Sequence, residues 1–489
     1  MSEPIELLEA QEFWGEWWLP SSPETRFGGQ LAYSPADGVS VKLAGGFESG
    51  QWEQMGPGAR AYTGGVTEYP IVHGYVAGKP ITLVGVTPTR SIGGIDPYEQ
   101  TLVASDALLG VLLAAREERA FIGFECAIES VALWLGESSF SEHRGKPGDS
   151  LVTGIELHRQ PAQTASSGSI SFSIWHQWRV NGVNVSRGGY SAEMNDRPVV
   201  SVEFGSPASL ADVKSIVQAL QDLITFIARE PSAVLSIRAN LPRETETLRK
   251  GHPGRGLPRG VGVMTRQRGA ERLASRSKRA PHLLITAREL PFCDLVPRWL
   301  ATREKHRAAV NLLLSLKFGG HAYLESRLLA SVGAAESLSR DLDPPRPFSR
   351  GEHKRIQKAA AGAVDEAHHD WVLERLAANE APLRERLEFL VDRLPGRVGD
   401  LVVHDRATWA RLAVDARNQL SHAGRAPNHS VHSLLTIIDV TAAVVTLNLL
   451  MELGVPTSAL SALVADSTLL GAVARRAHER FGSTRDGNR

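Results

Sequence analysis

Arg417-Asn418-Gln419-Leu420-Ser421-His422 places an arginine, an amide and a histidine within one short stretch of a 489-residue chain. Those side chains suit the cleavage of a phosphodiester. An imidazole moves protons to and from the reacting oxygens, and a guanidinium holds the negative charge that develops around phosphorus. Spacing alone carries little weight. With 44 Arg and 16 His, chance predicts about one Arg-x4-His pair, and one occurs. The weight must come from the element that carries the three residues.

That element reads as a helix over Asp405–Ala423. Asp405 is a fitting N-cap, and Trp409, Leu412, Ala416, Leu420 and Ala423 form an apolar stripe at steps of three and four. Asn418 and His422 lie one turn apart on another face, and Arg417 stands roughly 140° round from His422. Gly424 suits the position just past the helix end, which puts His422 in the last turn, where free carbonyls favour a cation. The same residues also fit a plainer arrangement: a last-turn histidine on the helix dipole and an arginine in a surface ion pair.

The surrounding chain divides into unlike parts, an α+β multidomain pattern. Residues 1–241 are rich in Gly, Thr, Val and aromatics in short alternating runs, such as Val39-Ser40-Val41-Lys42-Leu43 after Asp37-Gly38. This predicts a β-rich domain of sandwich or barrel-like form. One helix is expected over Ser209–Ala228. Residues 297–489 predict an all-α bundle with helices over Pro297–Lys317, Ala322–Leu342, Ser349–Ala378, Pro382–Leu394, Asp405–Ala423, His429–Leu453 and Thr457–Phe481. Between them, 242–296 reads as an Arg/Gly/Pro-rich connecting segment. Arg249, Lys250, Arg266, Arg268, Arg276, Lys278 and Arg279 are its candidate RNA-binding residues; a solvated linker fits the same composition.

Composition narrows the classes. Basic and acidic residues balance at 54 each, so any nucleic-acid contact must be a local patch. Two cysteines, Cys126 and Cys293, make no disulfide framework and no paired-cysteine zinc site, in keeping with a reducing cytoplasm. The acidic start, Met1 to Glu6, lacks the pattern of a signal peptide, so none is expected. Leu434 to Met451 is the most apolar stretch, but Asp439 and Asn448 interrupt it, which predicts a buried helix rather than a membrane span.

Arg417-Asn418-x3-His422 near the end of a helix in a C-terminal all-α domain resembles the Arg-x4–6-His signature of HEPN ribonucleases. Glu336-Ser337-Leu338-Ser339-Arg340 resembles the Glu-x3-Lys/Arg element of many HEPN domains. Phe13-Trp14-Gly15-Glu16-Trp17-Trp18-Leu19-Pro20, followed by Phe27-Gly28-Gly29-Gln30-Leu31-Ala32-Tyr33, is similar to the start of the ApeA N-terminal domain. The resemblance implies a metal-independent endoribonuclease of anti-phage abortive infection. It needs no cofactor and works as a homodimer or higher oligomer on RNA, transfer RNA included. His422 is then the general acid/base and Arg417 the phosphate holder. Asn418 positions the histidine or phosphate, and Glu336 orients Arg417 or His422. The β domain becomes a sensor of an unknown phage trigger. The alternative is a non-catalytic HEPN module for dimerisation or nucleotide or RNA binding, beside a ligand-sensing β domain.

Other features have plainer expectations. Asp365 and His369 at i,i+4 form a conceivable metal pair without a matching third ligand, so no metal site is expected. Trp14, Trp17 and Trp18 fit either a base-stacking platform or the edge of an aromatic core. His429 and His432 follow the motif and fit either a helper to it or, more commonly for loop histidines, exposed residues without a role.

Overall fold

The computed structural model describes residues 5–47, 52–57, 59–62, 68–92, 98–145, 152–187, 189–242, 259–275, 279–319, 322–466 and 468–481. The chain forms two compact units, Met1–Pro297 and Arg298–Arg489.

The N-terminal unit is built on a closed six-stranded antiparallel barrel. In ring order its strands are Gln11–Trp18, Phe27–Ser34, Gly38–Ala44, Glu99–Leu109, Lys79–Ile92 and Tyr69–Val76, and the last pairs back onto the first. Each ring strand is thus paired on both sides, and only the end of Glu99–Leu109 past Ala104, where Gly38–Ala44 no longer reaches, is left for another partner. Side chains alternate as a two-residue period demands: Val39, Val41 and Leu43 are buried, whereas Lys42 and Ala44 are exposed. The three tryptophans of the first strand divide accordingly. Trp17 and Trp18 are core, and Trp14 is 73% exposed. Trp17 packs against Gly74, where a Cβ would meet the indole at 2.5 Å, so the glycine makes room for the ring.

The sheet continues beyond the barrel. Arg259–Thr265 pairs with the barrel strand Glu99–Leu109, and Val234–Leu241, Phe121–Ile128, Gly189–Ala208, Ile170–Ser186 and Gln163–Ser167 follow in order. The helix Leu210–Ala228 starts at a capping box, in which Ser209 and Asp212 bond to each other's backbone N–H. Of the 242–296 segment expected to connect two domains, the described part is instead built into this unit. Arg259–Thr265 is an inner strand, with Val261, Val263 and Met264 buried in the core. A run of basic residues hides such a strand because its ladder partners are remote in sequence.

The C-terminal unit is helical. Val431–Glu452 runs through its middle, packed by Leu324–Asp341, Leu383–Asp392, Arg406–Ala423 and Gly471–Phe481. It is long and apolar enough to cross a membrane by composition, but 72% of that apolar window is buried inside the unit. Its polar interruptions are satisfied. Asn448 donates to the Leu390 and Val444 carbonyls at 2.9 Å, and Asp439 meets Arg476 at 2.6 Å.

Three expected helices are broken. Pro297–Lys317 is two helices, Phe292–Lys305 and Arg307–Phe318, because the fully buried His306 ring is held between Asp341 at 3.1 Å and Glu452 at 3.4 Å. Ser349–Ala378 is Arg350–Gly362, a short 3-10 turn at Glu366–His368, and His369–Arg375. Asp365 stands at the N-cap position of the turn, outside the helix that begins at His369, so the two share no helix face. Thr457–Phe481 parts into Thr457–Ala465 and Gly471–Phe481, with Asp466 accepting from the Thr468 and Gly471 N–H groups. Val398–Val403 is a short helix that periodicity did not show.

Candidate active site

The Arg406–Ala423 helix begins where Asp405 accepts from the Thr408 N–H at 3.0 Å, and ends at Gly424 in the left-handed conformation. Trp409, Ala410, Ala413, Ala416 and Leu420 are its buried face. Trp409 donates from Nε1 to Thr441 Oγ1 at 3.2 Å, which pins this helix to Val431–Glu452. Ala423, expected in the apolar stripe, is exposed, and Ala410 and Ala413 take the inward places.

With that face fixed inward, Arg417, Asn418 and His422 are directed by helical geometry. Asn418 and His422 are both exposed and stand one turn apart. Arg417 Nη1 donates to Asn418 Oδ1 at 3.1 Å, so the amide lies between the guanidinium and the histidine position on the helix surface. Arg417 Nη2 lies 3.5 Å from Glu336 Oε2. Glu336 projects from the Leu324–Asp341 helix, whose neighbouring Ala334, Ala335 and Leu338 are core.

Glu336 is shared more widely than its motif suggested. Its Oε1 accepts from Arg340 at 3.0 Å and from Arg386 at 3.3 Å. Three guanidiniums thus converge on one carboxylate that is only 17% exposed. Arg340 and Arg386 each also lie 3.7 Å from Glu380, near enough for charge attraction but too far for a good hydrogen bond. The cluster carries more positive than negative charge and suits an incoming anion.

Arg386 was missed in the sequence. It stands on the Leu383–Asp392 helix, at no regular spacing from Arg417 or Glu336, and a lone helical arginine signals nothing. Also unforeseen is the clamp between Asp415 and His429. Asp415 Oδ2 meets His429 Nε2 at 3.0 Å and accepts from Gln419 at 2.9 Å. The His429 side chain is 2% exposed, so the expectation of an exposed histidine is corrected. The clamp folds the loop after Gly424 back along the helix that carries His422.

The candidate RNA-binding residues have a different fate. Arg266 donates to the Ala36 carbonyl at 2.6 Å, and Arg268 is paired at 2.5 Å with the buried carboxylate of Asp222. Both are engaged within the N-terminal unit. Arg279 follows the Ala270–Ser275 helix in an irregular segment. Arg249, Lys250, Arg276 and Lys278 lie outside the described residues.

Residues 12–299 match the family described as ApeA N-terminal domain 1, and residues 329–459 match the one described as Apea-like HEPN. The chain belongs to the ApeA N-terminal domain family and is an ApeA-like protein with a C-terminal HEPN domain. No curated protein and no solved structure matched it. The second match spans Glu336, Arg340, Arg386, Arg417, Asn418 and His422, and supports a ribonuclease-type or nucleotide-related function in a defence protein.

Proposed function

We propose that the helical unit is a metal-independent RNA endonuclease acting in anti-phage abortive infection. The observation that carries this reading is the Arg417 guanidinium held by Glu336 and by Asn418, which itself stands one helical turn from an exposed His422. In this reading the RNA 2′-oxygen attacks the adjacent phosphorus and gives up its proton to a His422 imidazole. The P–O5′ bond breaks and the departing oxygen takes a proton. The products are a 2′,3′-cyclic phosphate and a 5′-hydroxyl. Arg417 binds the scissile phosphate and the charge that grows on it, Asn418 aligns the histidine or phosphate, and Glu336 orients Arg417. The nucleophile is internal to RNA and missing from DNA, so the substrate class follows from the chemistry.

The reaction uses one proton acceptor and one donor. A homodimer that juxtaposes two copies of the motif supplies both. It also gathers two Arg417 side chains into one cleft without a basic surface elsewhere, which suits the neutral net charge. The substrate is host or phage RNA in the cytoplasm, transfer RNA among the candidates. The N-terminal unit is the sensor of infection. Incubating the wild type, Arg417→Ala and His422→Ala with RNA in EDTA tests the proposal. Cleavage by the wild type alone supports it. Identical behaviour of all three refutes it, and leaves a non-catalytic dimerisation or nucleotide-binding module.

A further inference from the structure

Beside the Glu336 cluster lies a cavity of about 580 Å³. Arg340, Arg346, Arg350 and Arg386 line it, against Asp343 and Glu380. Among the described residues, no ion pair or side-chain hydrogen bond engages Arg346 or Arg350. Arg386 is the unusual member. Its side chain is 8% exposed, yet Nε and Nη1 make no hydrogen bond. A buried guanidinium normally has its donors satisfied, and leaving them unpaired is costly. The Arg350–Gly362 helix also opens on this cavity with the positive end of its dipole, Arg350 and His353 of its first turn lining the wall.

A second unpaired group narrows the ligand. Asn379 donates from Nδ2 to the Phe348 carbonyl at 2.8 Å, while its Oδ1 is buried without a donor. A phosphodiester carries no proton to give such an acceptor, but a ribose hydroxyl or base amino group of the same nucleotide satisfies it. The position of the cavity fits a nucleotide in a strand. Arg340 and Arg386 hold one oxygen of Glu336, and Arg417 faces the other.

We propose that this cavity binds a nucleotide of the RNA strand next to the scissile phosphate, its phosphate on Arg346, Arg350 and Arg386 and its hydroxyl or amino group on Asn379. The proposal rests on the nuclease reading for the position of the scissile phosphate. It makes the cavity a subsite that sets the register of the strand.

The test uses the full chain carrying His422→Ala, which blocks turnover, and a labelled RNA oligonucleotide whose binding is measured across a salt series. Arg346 and Arg350 are exposed, so R346A/R350A removes phosphate ligands without opening the core. About tenfold weaker binding is expected, with the slope of log affinity against log salt shallower by about 0.7 for each phosphate no longer neutralised. Asn379→Leu should weaken binding further by removing the acceptor for the hydroxyl or amino group. Unchanged affinity and slope in R346A/R350A overturn the subsite, even if the wild type cleaves RNA. So does tight binding of adenosine 5′-monophosphate that displaces the oligonucleotide, since the cavity then takes free nucleotides. If the wild type cuts no RNA but R346A/R350A still weakens RNA binding, the nuclease reading fails and the phosphate site stands. Absence of any RNA binding refutes both.

Discussion

Arg417 and Arg386 stand on separate helices and meet opposite oxygens of the Glu336 carboxylate, at 3.5 Å and 3.3 Å. Glu336 thereby joins a part-exposed guanidinium to a buried one. In the proposed mechanism a phosphate at Arg417 competes with this carboxylate, and a change at Glu336 should be felt on both sides.

Under the proposed mechanism, a change at either His422 or Arg417 should lower cleavage without unfolding the helix. His422→Ala is expected to lower RNA cleavage by about 10² to 10⁴, the usual contribution of a positioned acid or base. Arg417→Lys should keep the charge but lose the fork that grips two phosphate oxygens, and fall roughly tenfold or more. Both side chains lie outside the core, so stability should stay within about 0.5 kcal/mol of wild type. Timed gels of end-labelled RNA and urea melts check these values.

Loss of the Glu336 charge should destabilise the HEPN domain. Glu336→Ala leaves Arg386 buried beside only the more distant Glu380, and breaking a buried pair in this way costs about 3 kcal/mol. Denaturation followed by far-UV circular dichroism should show the helical transition shifted to lower urea. A wild-type midpoint would mean that Glu336 does not compensate Arg386.

Acid should weaken the same domain through Glu452. Burial acts to raise the pKa of this carboxyl, but hydrogen bonds from Lys305, Arg393 and His306 outweigh it and hold the value down at about 2. The folded value lies below the unfolded one. Its stabilisation is therefore complete above about pH 4.5 and is lost as pH falls toward 2. Glu452→Gln should lower stability near neutrality and flatten its fall between those limits, as read from melting temperature against pH.

Gly74→Ala should strain the barrel. The added methyl would stand 2.5 Å from the Trp17 indole and 3.0 Å from the Glu16 carbonyl, neither free to move far. Overpacking of this kind costs about 1–3 kcal/mol. A higher melting temperature than wild type would contradict the packing described.

The two thiols should differ in reactivity. Burial, aided by the charge of Glu125, pushes the Cys126 thiol up to about 12, and the residue is 1% exposed. Cys293 is exposed. A maleimide at pH 7 should add one label to the native chain, at Cys293, and two after denaturation. Peptide mass mapping identifies the site.

Local pattern was enough to place several elements. Alternation in Val39–Leu43 and the turn at Asp37-Gly38 mark a hairpin, because both signals come from neighbouring residues. The Arg406–Ala423 helix was equally legible from its cap, its apolar spacing and Gly424. The broken helices were not. His306 looks like any other polar position in a helical run until Asp341 and Glu452, distant in the chain, draw its ring inward. The basic 242–296 segment likewise concealed the strand Arg259–Thr265, whose ladder partners lie at Leu241 and Leu109.

What the sequence determined alone was the division into a β-rich half and a helical half, and the carriage of Arg417, Asn418 and His422 on one helix near its C-terminus. These follow from periodicity and capping, which act over a few residues. Only the tertiary structure decided that the β half closes into a barrel, that Arg266 and Arg268 are engaged inside the N-terminal unit, and that Arg386 joins Arg340 and Arg417 around Glu336. Strand closure and charge clustering depend on which distant segments meet in space. That is set by burial of the whole apolar surface, and no local spacing records it.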